Sequence, residues 1–157
     1  MAQLNKFSFG ATSAIVTSLA FIVGLFRNVN PKPVIIGSLL VIAIADNIAD
    51  TMGIHVYQES QLLSSKIIRA STFFNFLTRF LVMSIFILLV ALLPMGYAVI
   101  FSLIYGILLL SILSYFIAKE QKVNPYRAIL QHVIFTVLVV IVSNFLGEWI
   151  KQIFTKT

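Results

Sequence analysis

The chain of 157 residues is 60% hydrophobic and only 10% charged, with a mean hydropathy of +1.04. A water-soluble domain carries about a quarter charged residues, so this composition excludes a fold bathed in water on all sides and points to an integral membrane protein. Eleven Lys and Arg against five Asp and Glu give +6, but no dense basic cluster is present. The excess therefore suits loop orientation, and no nucleic-acid partner is expected. Without Cys there are no disulfides, thiolate ligands or cysteine nucleophiles.

A hydrocarbon core of about 30 Å takes roughly 20 apolar residues per helix. The first such stretch, residues 7–26, lies uncharged between Lys6 and Arg27. It reads as a span rather than a signal peptide, because no small-residue cleavage site closes it. Pro31 and Pro33 then break the chain and suit a helix start, opening a second span over about residues 34–56 that contains Asp46 and Asp50. The third, about residues 71–93, carries Arg79 in its first half. From Phe80 to Ala118 no charge occurs, and a single helix of that length would be about twice the thickness of a bilayer. Pro94 and Gly96 mark the turn, which leaves a fourth span at about 97–118 and a fifth at about 128–150 beyond Lys119, Glu120, Lys122 and Arg127. No loop exceeds the stretch 57–70, and no internal repeat or linker is visible, so one all-α membrane domain covers residues 1–157.

Five crossings place the termini on opposite sides. Lys6, Lys66, Arg69, Arg79, Lys119, Lys122 and Arg127 fall on the N-terminal side, and Arg27, Lys32, Lys151 and Lys156 on the other. This bias predicts a cytoplasmic N-terminus and an external or lumenal C-terminus, in a plasma (inner) or organelle membrane. Tyr57, Tyr97, Tyr115, Tyr126 and Trp149 fall at span ends, as an interfacial aromatic belt requires.

Ionisable groups inside a span are costly, at about 2.5–3.5 kcal/mol on insertion scales, and mark candidate functional sites. Asp46 and Asp50, at i and i+4, project from one helix face, with Asn47 beside them. Two such carboxylates repel unless they share a proton, hold a divalent cation, bond to neighbouring hydroxyls or pair with Arg79. Arg79 itself either snorkels to the headgroups or faces inward as their counter-charge. His55 and Glu59, again at i and i+4, read either as the mouth of an ion path or as a solvated helix end. Small residues at four-residue spacing, Gly10, Ala14 and Ser18 and then Ala45, Ala49 and Gly53, predict that the first and second helices pack closely on each other or across a dimer interface. Ser13 and Thr17 form a hydroxyl stripe on the first helix, and Gln131, His132, Thr136, Ser143, Asn144 and Glu148 form a polar stripe on the fifth that suits interhelical hydrogen bonds. There is no HExxH, GxSxG or Walker A motif, so no enzyme is expected.

Phe9-Gly10-Ala11-Thr12-Ser13-Ala14-Ile15-Val16-Thr17 with Val23-Gly24-Leu25 resembles the first helix of the vacuolar iron transporter family. Ile36-Gly37 through Ala45, Ala49-Asp50-Thr51-Met52-Gly53 and Tyr57-Gln58-Glu59-Ser60 are similar to its second helix. Leu92-Leu93-Pro94 and Leu146-Gly147-Glu148 resemble the ends of its third and last helices. The resemblance implies five helices, a homodimer and an ion path lined by the first two helices. Ser13 and Ile42 stand where the family has carboxylates, Asp50 stands near its methionine ligand, and the cytoplasmic metal-binding helices are missing.

The combined expectation is a homodimeric transporter that exchanges a divalent metal ion for protons. The metal is substrate rather than resident cofactor, and an all-oxygen donor set suits Fe(II), Mn(II) or Mg(II) alike. Its ligands would be Asp46, Asp50 and Asn47, supported by Ser13 and Thr17, with His55 and Glu59 at the mouth and Arg79 on the path. The alternative is a membrane scaffold that keeps the family's fold without transport.

Overall fold

Apolar windows bounded by prolines and charges become five long helices in the computed structural model, which describes residues 5–154, with side chains from residue 8 onward. They are α1 (Asn5–Leu25), α2 (Pro31–Ser60), α3 (Ser65–Leu92), α4 (Met95–Glu120) and α5 (Pro125–Phe154). Among the described residues there is no strand, and all five helices are long and apolar enough to cross a membrane. The Lys6 side chain and Lys156 of the charge tally lie outside the described residues.

Local chemistry explains the helix ends. Pro31 and Pro33 occupy the first turn of α2, where a missing N–H costs nothing. Leu93 is extended ahead of Pro94, which ends α3 and lets α4 begin at Met95. Before α5 the Asn124 side chain accepts hydrogen bonds from the Tyr126 and Arg127 N–H groups at 3.0 and 3.4 Å, with Pro125 at the first helical position. The helices overrun the apolar windows at their charged ends. Residues expected in a loop over 57–70 are helical up to Ser60 and again from Ser65, so Lys66 and Arg69 sit in the first turns of α3. Charge limits the apolar window but does not stop a helix, whose ends continue into the headgroup layer.

α1 is the central helix. It touches all four others, and Ala14, Ile15, Leu19 and Ile22 are fully buried among Leu39, Ile42, Met83, Phe86, Val90 and Leu110. Gly10 of its small-residue row meets α3: a Cβ there would lie 2.6 Å from the Asn75 carbonyl oxygen and 2.8 Å from its Oδ1. Ala14 and Ser18 are likewise buried within the protomer. On α2 the row Gly37, Ala45, Ala49 and Gly53 is exposed, with open space beside both glycines.

At the other end of α1, Gly24 crosses Gly147 of α5 so closely that a Cβ on Gly147 would overlap the Gly24 carbonyl oxygen. Arg27 and Glu148 form an ion pair at 3.0 Å beside this crossing, and the Ser114 hydroxyl meets His132 Nδ1 at 2.7 Å between α4 and α5. The polar stripe of α5 thus includes two interhelical ties. Gly147→Val is expected to lower stability by about 1–3 kcal/mol through overpacking, read as an earlier midpoint in detergent-denaturant unfolding. Gly53→Ala, facing open space, is expected to hold or raise the midpoint.

Candidate functional site

Halfway along α2 the helix widens. Ile42–Asp46 is a π-helical turn, in which the Asn47 N–H reaches back five residues to the Ile42 carbonyl. Such a turn re-aims the side chains that follow it and is found mostly at functional sites. It ends on Asp46, about 22 Å along the helix from Pro31 at 1.5 Å per residue.

Opposite it stands Arg79, 1% exposed, about 21 Å from the start of α3. Its Nη2 pairs with Asp46 Oδ2 and its Nη1 with Asp50 Oδ2, so one guanidinium fork spans both carboxylates. Arg79 therefore does not snorkel. Because α3 begins at Ser65, Arg79 lies at the middle of the helix, too far from either end for its side chain to reach the headgroups. It also leaves the tally of loop charges, which becomes six against four.

The cluster is tied to its surroundings unevenly. Ser13 Oγ donates to Asp50 Oδ2 at 3.4 Å, whereas Thr17 makes no hydrogen bond to either carboxylate. Asn47, fully buried, turns away from the acids: its Nδ2 donates to the Ala43 carbonyl at 3.3 Å and to the Phe76 carbonyl of α3 at 3.0 Å. Its Oδ1 accepts from Thr51 at 3.4 Å, and Asn75 Nδ2 reaches the Thr51 hydroxyl at 3.5 Å. These amides clamp α2 to α3 just beside the ion pairs. The Asp50 side chain is 34% exposed and that of Asp46 48%, so the open side of the cluster is Asp46. That side looks outward past Ala45 and Ala49, which are exposed, and past exposed Ile44 and Ile48.

Two carboxylates and one guanidinium carry a formal charge of −1 in an apolar setting. Unbalanced charge at such depth is expensive, so the cluster has capacity for one more positive charge. Among the described residues no three His, Cys, Asp or Glu side chains converge as a metal-binding group.

His55 and Glu59 lie nearer the α2–α3 turn. His55 Nε2 is 3.3 Å from Glu59 Oε1, and its Nδ1 is 3.0 Å from Thr72 Oγ1. With Ser65, Ile68 and Arg69 they line a cleft of about 210 Å³. One helix step on, Gln58 donates to Ser71 at 2.8 Å.

The structure thus brings together Asp46, Asp50, Arg79 and Ser13, with Asn47 beside them as a helix clamp, and separately His55 and Glu59. Asn75, Ser71 and Thr72 complete the polar seam without having been singled out as candidates. The signal for two of them was the row Ser71, Asn75 and Arg79 at four-residue spacing in an otherwise apolar helix. Comparison of the chain with protein-family models, curated proteins and solved structures finds no match.

Proposed function

We propose that the protein is a membrane transporter that exchanges a divalent metal ion for protons at Asp46 and Asp50, working as a homodimer across the open face of α2. The observation that carries this reading is the uncompensated negative charge of the cluster, exposed on one side at mid-span. One protomer supplies −1, and two facing each other supply −2, which one divalent cation neutralises. Four carboxylates contributed by two copies also provide the hard oxygen donors that a single protomer lacks. Support for apposition comes from the row of small exposed residues, Gly37, Ala45, Ala49 and Gly53, flanking Asp46, which lets two helices approach closely.

The coupling follows from charge. When the ion leaves, two protons restore neutrality, one on each protomer, so the exchange is two protons for one divalent ion and moves no net charge. Arg79 holds each Asp pair in register and sets the surplus at one negative charge per chain; without it four unbalanced carboxylates would meet. Five helices long and apolar enough to cross a membrane fit this reading, as do the expected cytoplasmic N-terminus and the resemblance of α1 and α2 to the vacuolar iron transporter family.

Proteoliposomes containing Mn(II) test it. An imposed proton gradient is expected to drive Mn(II) against its own gradient, at a rate unchanged when the membrane potential is clamped at zero. Mn(II) movement no faster than in protein-free vesicles would sink the proposal.

A second reading, a non-transporting scaffold, is favoured by one observation: Arg79 already pairs with both carboxylates, as a purely structural ion pair would. Under that reading no divalent ion moves or binds.

A further inference from the structure

The α2–α3 interface has two unlike halves on either side of the Arg79 cluster. Toward the α2–α3 turn it is polar: Asn47, Thr51 and Asn75, then His55 and Thr72, then Gln58 and Ser71 face one another. Toward the opposite side it is closed by Leu39, Ile42, Met83, Phe86 and Val90, all buried in the apolar core. Along the exposed face of α2, Val34, Val41, Ile44, Ile48, Met52 and Val56 add no polar side chain to Asp46.

Two further features mark the polar half as a route rather than a simple clamp. The cleft of about 210 Å³ lined by His55, Glu59 and Arg69 opens at its turn end. At its inner end Arg79 Nε is buried, the residue being 1% exposed, and has no hydrogen-bond partner among the described residues. Buried polar atoms of this kind are normally satisfied by water. A seam of polar side chains can admit water where a packed apolar interface cannot.

We infer that water reaches the Asp46–Asp50 cluster from the α2–α3 turn side, through the seam of Thr51, Asn75, Thr72 and His55, and that the cluster is sealed from the opposite side in this conformation. His55 stands at the mouth of this route: one ring nitrogen faces Thr72 inside the seam and the other faces Glu59 at the cleft. The charged groups that face it are Glu59 from its own helix and Arg69 from α3. The inference rests on the ion-exchange reading above and adds to it a route and a side.

The native chain has no Cys, so each introduced thiol is the only one. Single variants Thr51→Cys, Thr72→Cys, Leu39→Cys and Val90→Cys are treated with a membrane-impermeant methanethiosulfonate, in vesicles of each orientation. Thiols react as thiolates, which need water, so Thr51→Cys and Thr72→Cys are expected to react roughly tenfold faster or more from the turn side than from the other. Leu39→Cys and Val90→Cys are expected to resist from both sides. Equal rates from the two sides, or seam thiols as inert as the Leu39 and Val90 variants, would overturn the inference. Labelling is read without transport. Sided labelling with no Mn(II) movement would remove the exchange reading and leave the seam, and Mn(II) exchange with unsided labelling would do the reverse.

Discussion

Arg79→Met is expected to destabilise the folded protein by about 3–5 kcal/mol, the usual cost of removing one partner from a buried ion pair. The side chain is fully buried at the midpoint of α3, and its guanidinium is the only described partner that joins Asp46 to Asp50. Methionine fills similar volume, so the loss comes from charge rather than from a cavity. Two carboxylates one helical turn apart would be left at mid-membrane, where lipid screens nothing. The triple variant Arg79→Met, Asp46→Asn, Asp50→Asn carries no charge at the site and is expected to recover most of that stability. Unfolding in mixed detergent micelles measures both. An Arg79→Met protein as stable as the native one would mean that the bridge is absent in the membrane.

The second large effect separates stability from ion handling. Replacing both acids by Asn would strand Arg79 as an unpaired buried cation, so the double variant confounds folding with function. Asp46→Asn alone avoids this. It leaves Arg79 and Asp50 as a neutral pair, still hydrogen-bonded by Ser13, and removes the single uncompensated charge. Its stability is expected to stay within about 1 kcal/mol of the native protein, because a neutral buried pair is close to break-even. Mn(II) flux in proteoliposomes is nevertheless expected to fall to the level of protein-free vesicles. A collapse of stability together with flux would instead assign Asp46 a structural task.

Much of this organisation is legible in the residues themselves. Apolar windows of bilayer length located the five helices, and the Pro31, Pro33 and Pro94 breaks set their order. The i, i+4 spacing placed Asp46 and Asp50 on one face without knowledge of the fold. The depth of Arg79 was not legible. Measuring the third span from its first apolar run started it at Ser71, which left the arginine near an end and within snorkelling reach. The helix begins at Ser65, with Lys66 and Arg69 in its first turns, and the same residue becomes central. Neither could the partner of the Gly10 row be read. A stripe of small residues says that something approaches closely, but not whether it is α2, α3 or another copy. The π turn is invisible for a different reason: Ile42–Asp46 contains neither Pro nor Gly, and only the pairing of the Asn47 N–H with Ile42 reveals it.

At the centre of the account lies one uncompensated negative charge per chain, offered across a two-fold contact to a divalent ion. Electron paramagnetic resonance of free aqueous Mn(II), titrated with purified protein at neutral pH, measures it directly, because bound Mn(II) leaves the free-ion signal. The account predicts saturable loss of that signal at one ion per two chains, abolished in Asp46→Asn. An undiminished free-ion signal, or equal binding by native and Asp46→Asn protein, would contradict it.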